Sequence, residues 1–121
     1  MKVLIVEDEP LVARMYEKAL KFDGFEVVTA MGGKSGIETA KAQKPDIILM
    51  DIMMPEMNGI EALEVIKKDP DNVNVPVVML TNLSGIHDME LAGEKGAVAF
   101  WVKKDLKPKE LGSKIREIIG E

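Results

Sequence analysis

Short runs of Val, Ile, Leu and Met alternate along this chain with segments whose apolar residues recur every three or four positions. The runs predict five strands, at residues 2–6, 26–30, 46–51, 75–81 and 97–102. The first, third and fourth are almost continuously apolar, as strands covered on both faces are. Between them Leu11, Met15 and Ala19 mark a first helix, which Pro10 can open and Gly24 can close. Ile37 and Ala40 mark a second, ending before Pro45. Ile60, Leu63 and Ile66 mark a third, with Asn58 suited to cap it and Asp69-Pro70 to stop it. Met89 and Ala92, followed by Gly93 and Gly96, mark a fourth. Leu111, Ile115, Ile118 and Ile119 mark a fifth.

Strict βα alternation with short connections implies a parallel sheet with helices on both faces. Right-handed crossovers leave few topologies for five strands. The expectation is an α/β, flavodoxin-like, doubly wound (βα)5 three-layer sandwich of strand order 2-1-3-4-5. With 121 residues the chain fits a single domain spanning 1–121, large enough to bury a core without staples.

Composition narrows the chemistry. No apolar run approaches the ~20 residues of a membrane-spanning helix, so no membrane partner is expected. Residues 1–6 run directly into acids, unlike a signal peptide. The chain has no cysteine, which removes disulfides, thiolate nucleophiles and zinc–thiolate sites and fits a cytoplasmic location. A net charge of −5 disfavours direct contact with nucleic-acid phosphates. Lys104, Lys107 and Lys109 read as solvated charges ahead of the last helix, and His87, the only histidine, as an ordinary exposed residue.

In such a sheet ligands bind beyond the carboxyl ends of the strands, where strand order reverses. Glu7, Asp8 and Glu9 follow the first strand, Asp51 ends the third, Thr81 ends the fourth and Lys103 follows the fifth. Glu7, Asp8 and Asp51 should therefore converge. Like charges that close raise one another's pKa unless a cation intervenes. An all-carboxylate set calls for a hard cation, and Mg²⁺ fits because it keeps waters and accepts phosphate oxygens. Thr81 and Lys103 suit a phosphoryl group, and Asp51 can then serve as a nucleophile forming an acyl phosphate. Neither a GxxxxGK[ST] loop nor a GxGxxG turn is present, so no bound nucleotide is implied.

Taken singly, these residues have plainer readings. Acids before Pro10 suit a helix N-terminus, Asp51 a turn, Thr81 a strand and Lys103 the solvent. Only their joint occurrence at four strand ends argues for a site. The methionines, including Met50, Met53, Met54 and Met57, read as adaptable core filler. Phe100 and Trp101 read as strand packing, with Trp101 also a candidate partner contact.

The sequences VEDEP at 6–10, DIMMPEMNG at 51–59, MLT at 79–81 and GAVAFWVK at 96–103 resemble a response-regulator receiver domain across essentially the whole chain. The resemblance implies that Asp51 accepts a phosphoryl group from a histidine kinase, a histidine phosphotransfer protein or a small phosphodonor. It implies Mg²⁺ held by Asp8, Asp51 and the backbone carbonyl of Met53, with Glu7 holding metal-bound water. Thr81 and Phe100 would form the switch pair, and Lys103 would bind the phosphoryl group. The fourth helix, fifth strand and fifth helix would meet a downstream protein target, with the chain a monomer or a weak phosphorylation-dependent dimer. Such a protein signals rather than turning over a substrate.

Several positions depart from the family pattern. Glu7 stands where aspartate is common, Lys104 where proline usually follows the lysine in a bond often cis, and Asn82 where a small residue is usual. Phosphate lifetime would be tuned near Met53 and Leu83. Two other readings share these residues: a receiver that binds partners without phosphorylation, and an aspartyl-nucleophile phosphohydrolase. The hydrolase would need a second acid two residues after the nucleophile, where Met53 stands.

Overall fold

The computed structural model describes residues 1–82 and 86–120. Its order is β1 (Lys2–Val6), α1 (Pro10–Phe22), β2 (Glu26–Ala30), α2 (Gly33–Gln43), β3 (Ile47–Asp51), α3 (Gly59–Lys68), β4 (Val77–Thr81), α4 (Ile86–Glu94), β5 (Ala99–Val102) and α5 (Leu111–Ile119). Two short 3₁₀ turns, Lys103–Asp105 and Pro108–Glu110, lead from β5 into α5. All strand pairs are parallel, in the order β2-β1-β3-β4-β5. The expected fold is the one found.

Alternation along the central strands sorts the core into two layers. Leu4, Val6, Ile48, Met50, Val77 and Met79 pack with Ala40 of α2, Ile60, Leu63 and Ile66 of α3 and Ala92 of α4. Val3, Ile5, Ile47, Leu49, Val78 and Leu80 pack on the other face with Tyr16 and Leu20 of α1 and Leu111 and Ile115 of α5. β1, β3 and β4 are therefore buried on both sides, which is why their sequences hardly alternate.

Local chemistry sets the helix ends. Pro10 occupies the first turn of α1, and Gly24, at φ +93°, ends it while Phe25 N–H closes back onto Leu20 O at 3.0 Å. Asn58 Oδ1 accepts from Glu61 N–H at 2.9 Å and Glu61 Oε1 accepts from Asn58 N–H at 3.1 Å, a reciprocal cap that starts α3 directly after the β3 loop.

The structure corrects the face of α1. Leu11 is 80% and Met15 45% exposed, while Ala13, Tyr16 and Leu20 are buried. Both stripes have helical period, and the sheet takes the second. β3, β4 and β5 also begin one or two residues later than predicted. Val75 N–H bonds to Asn72 O and Ala97 N–H to Ala92 O, so these residues close the preceding turns before the ladders begin. Met54 and Met50 are core as expected, but Met53 is 59% exposed.

Candidate functional site

The parallel register brings four strand ends to one edge. Val6 pairs with Met50, Asp51 with Leu80 and Thr81 with Val102, so Glu7, Asp8, Asp51, Thr81 and Lys103 all emerge at the carboxyl ends of β1, β3, β4 and β5. One carboxylate oxygen from each of Glu7, Asp8 and Asp51 lies within 4.8 Å of the others. Glu7 and Thr81 are buried, Asp51 is only 3% exposed, and Asp8 is half-buried at the mouth. The convergence expected from the sequence is present.

The pocket is held rigidly from below. Glu7 N–H donates to Ala30 O at 3.0 Å, tying the residue after β1 to the end of β2. Glu7 Oε2 accepts from Glu9 N–H at 3.1 Å at the entrance to α1. Gly59 N–H donates to Ile52 O at 2.9 Å. A Cβ at Gly59 would sit 2.1 Å from the Asp51 carbonyl oxygen, so only glycine lets α3 start this close to the strand carrying the carboxylate. Gly59→Ala is expected to shift the end of β3, costing about 1–3 kcal/mol of stability as overpacking does. Urea unfolding would check this; a variant as stable as the wild type would mean that the loop adapts freely.

Lys103 enters the acidic cluster as its counter-ion. Its ammonium donates a hydrogen bond to Glu7 Oε1 and forms an ion pair with Asp51 Oδ1 at 3.3 Å, with the lysine side chain only 8% exposed. Lys104 is exposed, and among the described residues no peptide bond is cis, so the Lys103–Lys104 bond is trans. Lys104, Lys107 and Lys109 are solvent-facing as expected; Lys103 is not.

Electrostatics follow from this placement. Burial first, and the charge and hydrogen bonding of Glu7 after it, push the Asp51 carboxyl up to about 7 although Lys103 pulls it down. Burial alone would lower the Lys103 pKa, but its hydrogen bond to Glu7 and the charges of Asp51 and Glu7 outweigh that and hold it above the usual lysine value. A single ammonium thus leaves the cluster short of positive charge. The oxygen-only donor set and this deficit both fit a hard divalent cation better than a second lysine.

A pH dependence follows. An aspartate whose folded pKa is raised binds its proton more tightly in the native state. Its contribution to stability is full below about pH 4 and lost as pH rises towards 7. Metal-free protein should therefore lose stability over that interval, and Asp51→Asn should flatten it. Urea melts at stepped pH measure the slope; a wild-type slope unchanged by the substitution would contradict the assignment.

Tyr16, which the sequence analysis did not single out, lies almost fully buried beneath the pocket. Burial raises the pKa of its phenol, and Lys103, Glu7, Asp51 and Glu9 all act on it electrostatically. Its signal was its place between Ala13 and Leu20 on the α1 stripe that turns out to face the sheet. Phe100 pairs in register with Met79 and packs on the α2–α4 side of the sheet, the side that Thr81 also faces by strand alternation. Trp101 points to the opposite layer, with Lys114 Nζ 5.5 Å from its ring centroid. Asn82 and His87 are exposed, and Leu83 lies outside the described residues.

Comparison with known proteins points the same way. The family model for the response regulator receiver domain matches residues 3–116. A probable transcriptional regulator, ycf27, of Guillardia theta is 38% identical over 118 residues, 98% of this chain and 45% of the relative. The DNA-binding response regulator MtrA of Mycolicibacterium smegmatis is 36% identical over 115 residues, 95% of this chain and 49% of the relative. The chain thus spans about half the length of the curated relatives it matches. Among solved structures, the Vibrio cholerae chemotaxis protein CheY4 superposes with a TM-score of 0.91 at 27% identity, covering 97% of both chains.

Proposed function

This chain belongs to the response-regulator receiver family of two-component signalling, and from that premise we propose that it accepts a phosphoryl group on Asp51 in a Mg²⁺-dependent reaction. The observation that carries the reading is the convergence of Glu7, Asp8, Asp51 and Lys103 on one pocket at the sheet's carboxyl edge. Asp8, Asp51 and the Met53 carbonyl would hold the ion, with the buried Glu7 holding metal-bound water. Bound there, Mg²⁺ would neutralise charge on the phosphoryl oxygens.

The remaining steps belong to the chain's own groups. One Asp51 oxygen attacks phosphorus, the bond from phosphorus to the donor's imidazole nitrogen breaks, and the imidazole leaves with a proton taken from solvent. The Lys103 ammonium turns from Glu7 to a phosphoryl oxygen, matching charge to charge. The Thr81 hydroxyl donates to another phosphoryl oxygen, and Phe100 moves into the space vacated on the same side of the sheet. Signalling is then a population shift, limited by how much better these contacts are in the phosphorylated state.

Partners follow from the faces available. A histidine kinase or histidine phosphotransfer protein would present its phosphohistidine to the pocket. The α4–β5–α5 face would meet the downstream target, and exposed Met89 and Val98 supply apolar surface there. No helix among the described residues is long and apolar enough to cross a membrane. The acidic surface of the chain argues against its own contact with nucleic acid; the relative named as DNA-binding is about twice as long.

Incubation with acetyl phosphate, with and without Mg²⁺, tests the proposal by intact mass. One phosphoryl group gained only with Mg²⁺ supports it, and no gain would favour a phosphorylation-independent binding module. Sustained turnover of an aryl phosphate would favour a phosphohydrolase, although Met53 stands where that chemistry needs its acid.

A further inference from the structure

Glu7 is fully buried, and both of its oxygens are already engaged. Oε2 takes the N–H of Glu9, which anchors the carboxylate to the first turn of the chain after β1. Oε1 takes the Lys103 ammonium, 96 residues away in sequence. The same ammonium reaches Asp51 Oδ1 at 3.3 Å, so it sits between the two carboxylates that flank the proposed ion position. An anchored, buried carboxylate cannot rotate away from its partner, and the lysine, 8% exposed, has little water to fall back on.

We infer that Glu7 sets the divalent-ion affinity of the pocket by latching Lys103 in place as a resident cation, so that the ion and the ammonium compete for one carboxylate. The inference rests on the reading of this pocket as a Mg²⁺ site and adds a role for Glu7 distinct from supporting the bound ion. The longer glutamate matters because it spans from the Glu9 amide to the ammonium. An aspartate keeps the charge but, one methylene shorter, reaches less far, and on this inference it gives up one of the two contacts. Lys103 would then depend on Asp51 alone and give way to the ion more readily.

A double-mutant cycle on Mg²⁺ binding tests this, by calorimetry on the whole chain without a phosphodonor. A pH of about 9 keeps the carboxylates ionised. Glu7→Asp and Lys103→Met should each bind Mg²⁺ roughly tenfold more tightly, the scale of one hydrogen bond to a charged group. The double variant should bind no more tightly than Lys103→Met, because with the lysine gone there is nothing left to latch. An equal effect of Glu7→Asp in both backgrounds, or weaker binding in the lysine-containing one, overturns the latch while leaving the metal site standing. No Mg²⁺ binding by any of the four proteins overturns the metal site and the latch together. Should Lys103→Met fold poorly, the Lys103 ammonium proton resonance in the wild type gives a second reading. It should shift as Mg²⁺ binds and the ammonium leaves Glu7 and Asp51, read at a pH low enough for the ammonium protons to be seen; a resonance unchanged at saturating Mg²⁺ contradicts competition.

Discussion

Asp51→Asn is expected to take up no phosphoryl group from acetyl phosphate under conditions expected to load the wild type, and to keep the fold. The amide has nearly the shape of the carboxylate it replaces, so the ladder between β3 and β4 and the packing against Gly59 remain. What is lost is the anionic oxygen that attacks phosphorus in the proposed reaction, and an amide cannot substitute for it at neutral pH. The same change removes a carboxyl whose ionisation is opposed by burial and by Glu7. Metal-free Asp51→Asn should accordingly be at least as stable as the wild type near neutral pH. Intact mass and urea melts read both halves. Wild-type phosphoryl uptake by the variant would place the acceptor elsewhere.

Thr81→Ala is expected to load normally and switch incompletely. Thr81 is buried at the end of β4, on the side of the sheet where Phe100 packs, so its hydroxyl can link the two without a new backbone path. A hydrogen bond to a charged group contributes about 1.5–3 kcal/mol. Carrying a two-state equilibrium from 1:99 to 99:1 takes about 5.5 kcal/mol. Losing the hydroxyl would lower the ratio of switched to unswitched molecules tenfold to hundredfold, taking a 99:1 mixture to about 10:1 at the weak end and about 1:1 at the strong end. The ring resonances of Phe100 would report it: on loading they should move fully in the wild type and stop short of that position in Thr81→Ala. A full shift in the variant would exclude Thr81 from the switch.

The doubly wound sheet was legible because its three central strands are buried on both faces, and continuous apolar runs such as Ile47–Met50 have few other uses. The location of the site followed from topology, since strand order alone places Glu7, Asp51 and Lys103 at one edge. The orientation of α1 was not legible. Leu11 and Met15 make as good a stripe as Ala13, Tyr16 and Leu20, and only the packed sheet selects the bulky Tyr16. Nor was the choice of partner for Lys103. Convergence of three acids says that a lysine arriving there will pair, but the reach of Glu7 and its anchor on the Glu9 amide decide with which. The late starts of β4 and β5 depend on turn hydrogen bonds from Val75 and Ala97, which hydrophobic patterning cannot register.

A crystal structure of the protein treated with Mg²⁺ and beryllofluoride tests the central claim most directly. The account expects the ion against Asp8 and Asp51, the fluoride group on the Asp51 carboxylate, and the Lys103 ammonium moved from Glu7 to a fluorine. Beryllofluoride bound away from residue 51, or Lys103 still paired to Glu7 beside an occupied Asp51, would contradict it.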